Sequence, residues 1–394
     1  MEKFRDLFRY RYIWIGLLSA LVLAFFLKFP CSSHFWDGYQ YQSWCYSDIM
    51  ALYGPRHFDL HAFPYFSTDL EYPVGIGLLA GTVGLLTNSL VSFFLINSLV
   101  LGLLAGVTLW CLQQLGVKIK RLYLFALAPT LILYAFLNWD LLPVALVALA
   151  LVAFKRGDDR WAGLWLGLGA ASKLFPGLLL PGLLVSRLVA RRQMAWQLIG
   201  GAVGGFLLLN LPIYLADPAG WWYPWQFQAE RFPNFETVWF FIYHHFGAED
   251  ISSFWWTTYP KLTSWLSLGL FGLALTWLLF QEWFHKRSRP LVISFVTLIL
   301  FLLTAKIFSP QYLLWLVPFL VVLPLPHRAV IGFFAVDLIT WAAVTNHLLV
   351  ANTPAAATPL LFLELAVLGR YIMLAWLGYL AYHLPVDEKP VQRL

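Results

Sequence analysis

The chain has 394 residues, of which 60% are hydrophobic and only 12% are charged, with a formal net charge of +6. Its mean hydropathy is +0.71. Apolar runs near the length of a membrane-crossing helix recur along it, so the composition excludes a soluble domain and predicts one polytopic, all-α integral membrane domain over 1–394. Basic residues flank the apolar runs, so they indicate orientation in the membrane, not nucleic-acid binding.

About twelve membrane spans are predicted. The first, 13–29, follows a basic N-terminal cluster that the positive-inside rule places in the cytoplasm. The remaining predicted spans are 91–113, 121–137, 140–155, 161–173, 175–190, 195–215, 260–281, 290–306, 311–325, 328–346 and 359–383. This arrangement predicts a plasma-membrane protein with both termini in the cytoplasm.

The apolar run 73–88 is treated differently. It is short, begins at Pro73 and contains four glycines, namely Gly75, Gly77, Gly81 and Gly84. A crossing there would move the basic cluster at 118–121 to the outside, so we predict a juxtamembrane or re-entrant helix that belongs to the first outer loop. The Gly-x-x-x-Gly spacing at 77/81, repeated at 163/167, predicts close helix packing.

The first outer loop, 30–73, is the most polar stretch and indicates the position of the chemistry. It contains five carboxylates, namely Asp37, Asp48, Asp59, Asp69 and Glu71. Asp48 begins a predicted short helix running to Tyr53 and is a candidate general base. The alternative is that Ser47 or Asp48 only caps this helix.

Two cysteines, Cys31 and Cys45, fall in the same loop. On an outer face they can form a disulfide or stay as thiols, and the sequence leaves both readings open.

Further candidates follow along the outer side. Lys173 lies among apolar residues at the apex of a predicted helical hairpin, and Lys306 ends a predicted span. An intramembrane cation usually has a partner, and a lipid-linked phosphate would serve; simple snorkelling to the interface is the alternative. Asp140 is a second acid or a helix cap. Glu71, just before Tyr72, is a ligand for a substrate hydroxyl or a cation, or simply lies near a helix N-terminus.

A second long loop, 216–259, contains Arg231, which is suited to clamp a phosphate. Adjacent His244 and His245 have no carboxylate at metal-ligand spacing, so no zinc site is predicted. Motifs for nucleotide hydrolysis, dinucleotide cofactors and zinc hydrolysis are absent. No cofactor is therefore predicted, and the sequence does not support a metal ion.

Short motifs follow one another along the chain, namely Tyr46-Ser47-Asp48-Ile49, Leu52-Tyr53, Pro64-Tyr65, Glu71-Tyr72-Pro73, Asn138-Trp139-Asp140, Ala171-Ser172-Lys173-Leu174-Phe175-Pro176 and Ser309-Pro310-Gln311-Tyr312-Leu313-Leu314-Trp315. In this order, they resemble those of the C-type polytopic glycosyltransferases, specifically glycosyltransferase family 87. The family includes polyprenol-phosphate-mannose-dependent mannosyltransferases and related arabinofuranosyltransferases. The resemblance implies the C-type architecture, a site facing outside, and transfer of a sugar from a polyprenyl-phosphate carrier.

The resemblance also implies residue roles. Asp48 would be the catalytic base, and the substrate-binding residues would be Glu71, Tyr72, Asp140, Lys173, Arg231, Lys306, Gln311 and Tyr312. Trp44, Tyr65 and Tyr72 would stack on the sugar. The implied reaction is inverting mannosyl transfer to a lipid- or polymer-linked glycan, with membrane lipids as the surroundings. An incomplete two-acid pattern at Ser47–Asp48 argues against a required metal.

Two other classes stay open. A secondary transporter or lipid-linked glycan flippase would use mid-span ionisable residues, for which Asp337 is a candidate, but no internal repeat is evident. An acyltransferase, or a ligase that joins polymers to a lipid carrier, would share the same outer-loop layout.

Overall fold

The computed structural model describes residues 2–34, 38–248, 250, 252–351 and 360–384. Asp37 lies outside these residues. Helices account for the regular structure there, and they are, in chain order, α1 (Glu2–Lys28), α2 (Tyr39–Gln42), α3 (Asp48–Ala51), α4 (Val74–Leu85), α5 (Leu90–Gln114), α6 (Ile119–Ala126), α7 (Pro129–Tyr134), α8 (Leu141–Lys155), α9 (Asp159–Ser172), α10 (Phe175–Leu178), α11 (Leu180–Arg191), α12 (Trp196–Ala216), α13 (Pro218–Glu230), α14 (Val238–Phe246), α15 (Tyr259–Phe284), α16 (Pro290–Thr304), α17 (Val317–Val322), α18 (His327–Ala351) and α19 (Leu360–Tyr382). Short 3₁₀ turns occupy Phe29–Ser32, Phe58–Leu60 and Pro310–Trp315, and a π-helical turn, Phe254–Thr258, precedes α15.

Six of the described helical segments are long and apolar enough to cross a membrane: Tyr10–Ser32, Leu90–Gln114, Trp196–Ala216, Phe254–Phe284, His327–Ala351 and Leu360–Tyr382. The protein is therefore an all-helical, multi-pass membrane protein, as the composition predicted. The count of about twelve spans is not confirmed, because most of the other apolar helices are shorter than a bilayer crossing requires.

A proline explains one of the differences. The predicted span 121–137 is divided into α6 and α7, where Ala128 has an extended backbone before Pro129. A residue before proline is disfavoured in the α-helical region. The predicted span 175–190 is also divided, into α10 and α11, and 311–325 becomes a 3₁₀ turn followed by α17.

The first of two compact units comprises Met1–Gly177, Trp196–Trp221 and Leu313–Pro324. Helix α9 packs closely against α12, because a Cβ on Gly163 or Gly167 would overlap the backbone of Leu198 or Ala202. The predicted close packing is thus confirmed for 163/167. For 77/81 it is wrong, because Gly77 and Gly81 face side chains of the first loop instead of another helix.

Helix α4 confirms the helix predicted after Pro73, and its membrane location stays a prediction. Its glycines allow the neighbouring chain to approach. A Cβ on Gly77 would overlap the Tyr65 hydroxyl, and a Cβ on Gly75 would overlap Ser172 at the end of α9. The small residues therefore position the first loop and the end of α9 close to one helix.

The second unit comprises Leu178–Ala195, Trp222–Tyr312 and Leu325–Leu394. Part of its core lies between α18 and α19, where Ala343, Val344, Leu363, Ala366 and Val367 are buried together. An ion pair joins Arg289 to Glu282, and both side chains are almost fully buried. Arg289 also donates to the carbonyl oxygen of Tyr382, so it ties the end of α19 to the start of α16.

Candidate functional site

The chain around Asp48 is anchored by backbone contacts of the first unit. The Ser47 hydroxyl donates to the carbonyl oxygens of Phe136 (2.7 Å) and Leu137 (3.1 Å). The Asp48 N–H also donates to Leu137, at 2.7 Å. Neither side chain caps α3, although Ser47 has the N-cap position. The capping alternative therefore does not account for the Asp48 carboxylate.

Both oxygens of that carboxylate accept hydrogen bonds from phenols. The Tyr46 hydroxyl donates to Oδ1 at 2.8 Å, and the Tyr72 hydroxyl donates to Oδ2 at 2.9 Å. Asp48 is only partly buried. A carboxylate that accepts on both oxygens is held in one orientation while its remaining lone pairs stay open to a further donor.

Two contacts fix the first half of this loop to the end of α1. Cys31 and Cys45 form a disulfide with both residues buried, which resolves the open question about these thiols. The Lys28 ammonium, which is 2% exposed, donates to the carbonyl oxygen of Trp44 at 3.3 Å. Tyr46 follows directly, so its phenol is carried by a cross-linked segment.

Besides the hydrogen bond from its hydroxyl to Asp48, Tyr72 is held through its carbonyl oxygen and its ring. Its carbonyl oxygen accepts from the Tyr65 hydroxyl at 2.8 Å, and its ring lies edge-on to Trp139 with centroids 5.4 Å apart. Trp139 in turn donates to the Asn97 amide oxygen at 2.7 Å. Burial, and then the negative charge of Asp48, raise the pKa of Tyr72 well above its usual range. Its hydroxyl therefore stays a donor at neutral pH.

A buried ion pair lies beside Tyr72. The Lys173 ammonium contacts the Asp140 carboxylate, and the two side chains are 12% and 1% exposed. Lys173 follows the last residue of α9, and Asp140 precedes α8 without capping it through its side chain. Lys173 does not snorkel, because its charge is satisfied inside the unit.

Aromatic rings surround the same ammonium. The Nζ atom of Lys173 lies 5.9 Å from the ring centroid of Tyr72 and 5.2 Å from that of Trp315. Trp315 stacks on Phe175, with centroids 4.2 Å apart and planes 11° from parallel. Tyr72 therefore borders both the Asp48 carboxylate and the Asp140–Lys173 pair.

Glu71, the residue before Tyr72, pairs with Arg56 at 2.9 Å. The two side chains are 18% and 23% exposed. This pair joins the two ends of the first-loop segment that follows Asp48.

The second unit contains the other predicted substrate-binding residues. Lys306 Nζ donates to the carbonyl oxygens of Pro260 (3.0 Å), Ala229 (2.9 Å) and Arg231 (2.7 Å), so all three of its N–H bonds are used. The Arg231 guanidinium donates to the Asn234 amide oxygen at 2.9 Å.

Gln311 is 8% exposed, and the Tyr312 ring lies 6.5 Å from that of Phe308.

His245 pairs with Glu364 at 2.7 Å. Within the described residues, no three or more His, Cys, Asp or Glu side chains form a group that could hold a metal ion.

Sequence reasoning missed several residues that build the site. Trp315 ends the motif that begins at Ser309, but no role was predicted for it. Asn97 is a polar residue inside a predicted span, which is a recognised signal. Lys28 and Arg56 gave no such signal, because their partners are carbonyl or carboxylate groups distant in sequence.

The fold and this site describe a multi-pass membrane protein with an oriented carboxylate and a buried, aromatic-lined lysine. The family model for glycosyltransferase family 87 matches residues 70–310, more than half of the chain. The chain therefore belongs to glycosyltransferase family 87 and is a glycosyltransferase. The matched region includes Glu71, Tyr72, Asp140, Lys173, Arg231 and Lys306, whereas Asp48, Gln311 and Tyr312 lie outside it.

Among solved structures, the chain is similar to ArnT from Cupriavidus metallidurans bound to undecaprenyl phosphate, with 14% identity and a TM-score of 0.47. It is also similar to the apo state of that protein, with 15% identity and a TM-score of 0.41. Each match covers 94% of this chain and 77% of the other. No curated protein matches the chain.

Proposed function

We propose that the protein transfers a sugar from a polyprenyl-phosphate carrier to a lipid- or polymer-linked glycan at the outer membrane face, with mannose as the sugar and inversion at the anomeric carbon. The family supports the glycosyl transfer. The observation that carries the rest is the single aromatic residue, Tyr72, that borders both an oriented carboxylate and a buried ammonium.

Asp48 acts as general base in this proposal. Its carboxylate takes the proton from an acceptor hydroxyl, whose oxygen forms a bond to the anomeric carbon from the face opposite the phosphate. The bond from that carbon to the phosphate oxygen breaks, and its electron pair leaves with the polyprenyl phosphate. The phenols of Tyr46 and Tyr72 fix the direction of the carboxylate, so the acceptor meets a preorganised base.

Lys173 neutralises the leaving phosphate in this proposal. Without substrate its partner is Asp140, and an incoming phosphate competes for the same ammonium. Until the phosphate arrives, Asp140 compensates the positive charge of Lys173. An isolated buried lysine would lack such a partner. The rings of Tyr72 and Trp315 exclude water and offer flat surfaces to a sugar, so the charge interaction is strengthened.

The remaining predicted residues have supporting roles in the proposal. Glu71, through its pair with Arg56, keeps Tyr72 in position. In the second unit, Arg231 is the proposed additional phosphate ligand, and Gln311 and Tyr312 are proposed substrate contacts. Lys306 is less available to a substrate, because carbonyl oxygens accept all three of its N–H bonds.

Purified protein in nanodiscs tests the proposal, with radiolabelled polyprenyl-phosphate mannose as donor and a membrane glycolipid extract as acceptor. We expect Asp48→Asn to lower transfer by about 10²–10⁴-fold, as loss of a general base does. Asp69→Asn is the matched control, because Asp69 is an exposed carboxylate of the same loop. Its transfer should equal that of the wild type.

Three results would contradict parts of the proposal. Full transfer by Asp48→Asn would remove Asp48 as base. Transfer from polyprenyl-phosphate arabinose, and none from the mannose donor, would show that the transferred sugar is arabinose. If the wild type transfers sugar from neither donor, transfer from this carrier class is contradicted. That result would favour movement of a lipid-linked glycan across the membrane, which a liposome flipping assay measures.

A further inference from the structure

An apolar groove lies between α1 and α5 in the first unit. Its volume is about 740 Å³. Half-exposed apolar side chains of both helices form its walls, among them Trp14, Leu18, Phe26, Leu99 and Leu103. Both helices are long enough to cross a membrane, so the groove opens toward hydrocarbon.

Glycines keep the groove open. Gly102 and Gly106 lie four residues apart on α5 and line it. A Cβ on Gly102 would find only the Leu21 side chain, at 3.7 Å, and a Cβ on Gly106 would find the Trp14 ring, at 3.4 Å. The same spacing at Gly163 and Gly167 is filled by the backbone of α12. On α5 no helix fills the space beside the two glycines, and the groove stays open there.

One end of the groove reaches the candidate site. Buried Phe136 lines it, and the carbonyl oxygen of Phe136 accepts the hydrogen bond that anchors Ser47, next to Asp48. Ser98 lines it as well, is 5% exposed, and has a hydroxyl without a hydrogen-bond partner in the described part of the chain. The neighbouring Asn97 holds Trp139, so this end borders the wall of the site.

The groove is also long enough to hold an extended chain. Its lining on α5 extends from Leu95 to Trp110. At about 1.5 Å per residue this is roughly 22 Å, most of the thickness of the hydrocarbon layer.

We infer that this groove binds the hydrocarbon tail of the lipid-linked acceptor and guides its hydroxyl to Asp48. The inference rests on the proposed function, since it takes Asp48 as the base that receives the acceptor's proton. The anchored backbone at Phe136 and Leu137 joins the end of the groove to that base. The donor's phosphate is assigned to Lys173, and neither α9 nor α10 lines the groove.

Acceptors of graded chain length test the inference, namely methyl, octyl, dodecyl and hexadecyl α-mannosides. For the wild type, KM should fall as the alkyl chain lengthens, because more methylene groups are buried. Gly102→Leu places a side chain in the groove without a backbone clash. We expect it to raise KM for the hexadecyl acceptor about tenfold or more, the equivalent of losing two buried methylenes. The kcat/KM for the methyl acceptor should not change.

The control variant is Gly204→Leu on α12, where an added Cβ would meet nothing within 4 Å. It adds the same side chain to an exposed position of the same unit, so its chain-length profile should match that of the wild type. An unchanged profile in Gly102→Leu would overturn the inference. So would a loss that depends on the length of the donor's polyprenol, because the groove would then hold the donor.

A binding readout separates this inference from the proposed function. A hexadecyl mannoside with a diazirine on its chain should label α1 and α5 in the wild type, and Gly102→Leu should abolish the labelling. Equal labelling by a diazirine phospholipid would overturn the inference, since the groove would then hold any bilayer lipid. If the wild type transfers no sugar, the proposed function fails, and the labelling still decides whether the groove binds the mannoside.

Discussion

Lys173 in the first unit and Lys306 in the second have similar sequence settings and different surroundings. The Lys173 ammonium contacts a carboxylate and two aromatic rings. The Lys306 ammonium donates to three backbone carbonyl oxygens. A charged partner can be exchanged for another anion, whereas three carbonyl acceptors use every donor that an ammonium has. The comparison indicates that Lys173 is suited to bind a phosphate and Lys306 to hold chain segments together.

Lys173→Met should have the largest effect. It removes the cation that would stabilise the leaving phosphate, so we expect transfer to fall about 10²–10³-fold. It also leaves Asp140 buried without a counter-charge, which should lower the free energy of unfolding by about 3–5 kcal/mol. Transfer kinetics and thermal unfolding in detergent measure the two effects.

The double variant Asp140→Asn/Lys173→Met serves as the control, because it removes both charges. It should regain much of the stability and none of the transfer. Recovery of transfer in this variant would contradict a role for Lys173 in binding phosphate.

Lys306→Met should alter stability more than activity. The carbonyl oxygens of Pro260, Ala229 and Arg231 lose their shared donor. The Ser264 hydroxyl still donates to the oxygens of Ala229 and Pro260, so the main loss falls on Arg231. At about 1–3 kcal/mol for an unsatisfied buried group, we expect the free energy of unfolding to fall by about 1–3 kcal/mol. Transfer per folded molecule should stay within about threefold of the wild type, which is below 1 kcal/mol.

The opposite result would break the comparison between the two lysines. If Lys306→Met unfolds normally and its KM for the polyprenyl-phosphate donor rises as much as that of Lys173→Met, both lysines bind phosphate. The role predicted from sequence for Lys306 would then be correct.

Tyr46→Phe should lower transfer less than Lys173→Met does, and it sharpens the comparison because it leaves both lysines in place. It removes one of the two phenol donors that orient Asp48. A hydrogen bond to a charged group contributes about 1.5–3 kcal/mol, so transfer should fall about tenfold or somewhat more. The KM for the donor should not change, and a rise in that KM would indicate that Tyr46 contacts the donor instead.

The candidate site was predictable in part. Asp48, Tyr72, Asp140 and Lys173 stand in short motifs where polar residues interrupt apolar sequence, and interruptions of that kind are costly in a membrane. The pairing of Asp140 with Lys173 was not predictable, because the partners are 33 positions apart. Hydropathy also missed the break between α6 and α7, since it does not register that Ala128, the residue before Pro129, leaves the helix.

The sequence by itself determined the class of protein and predicted the loop that contains the chemistry. A composition that is 60% hydrophobic leaves helices as the means of pairing the backbone in lipid, and the ionisable groups concentrate in one early loop. Only the tertiary structure decided which charge meets which partner. Two lysines in similar apolar sequence have different partners: a carboxylate contacts one ammonium, and carbonyl oxygens accept from the other. Which partner each lysine has depends on contacts between residues far apart in sequence.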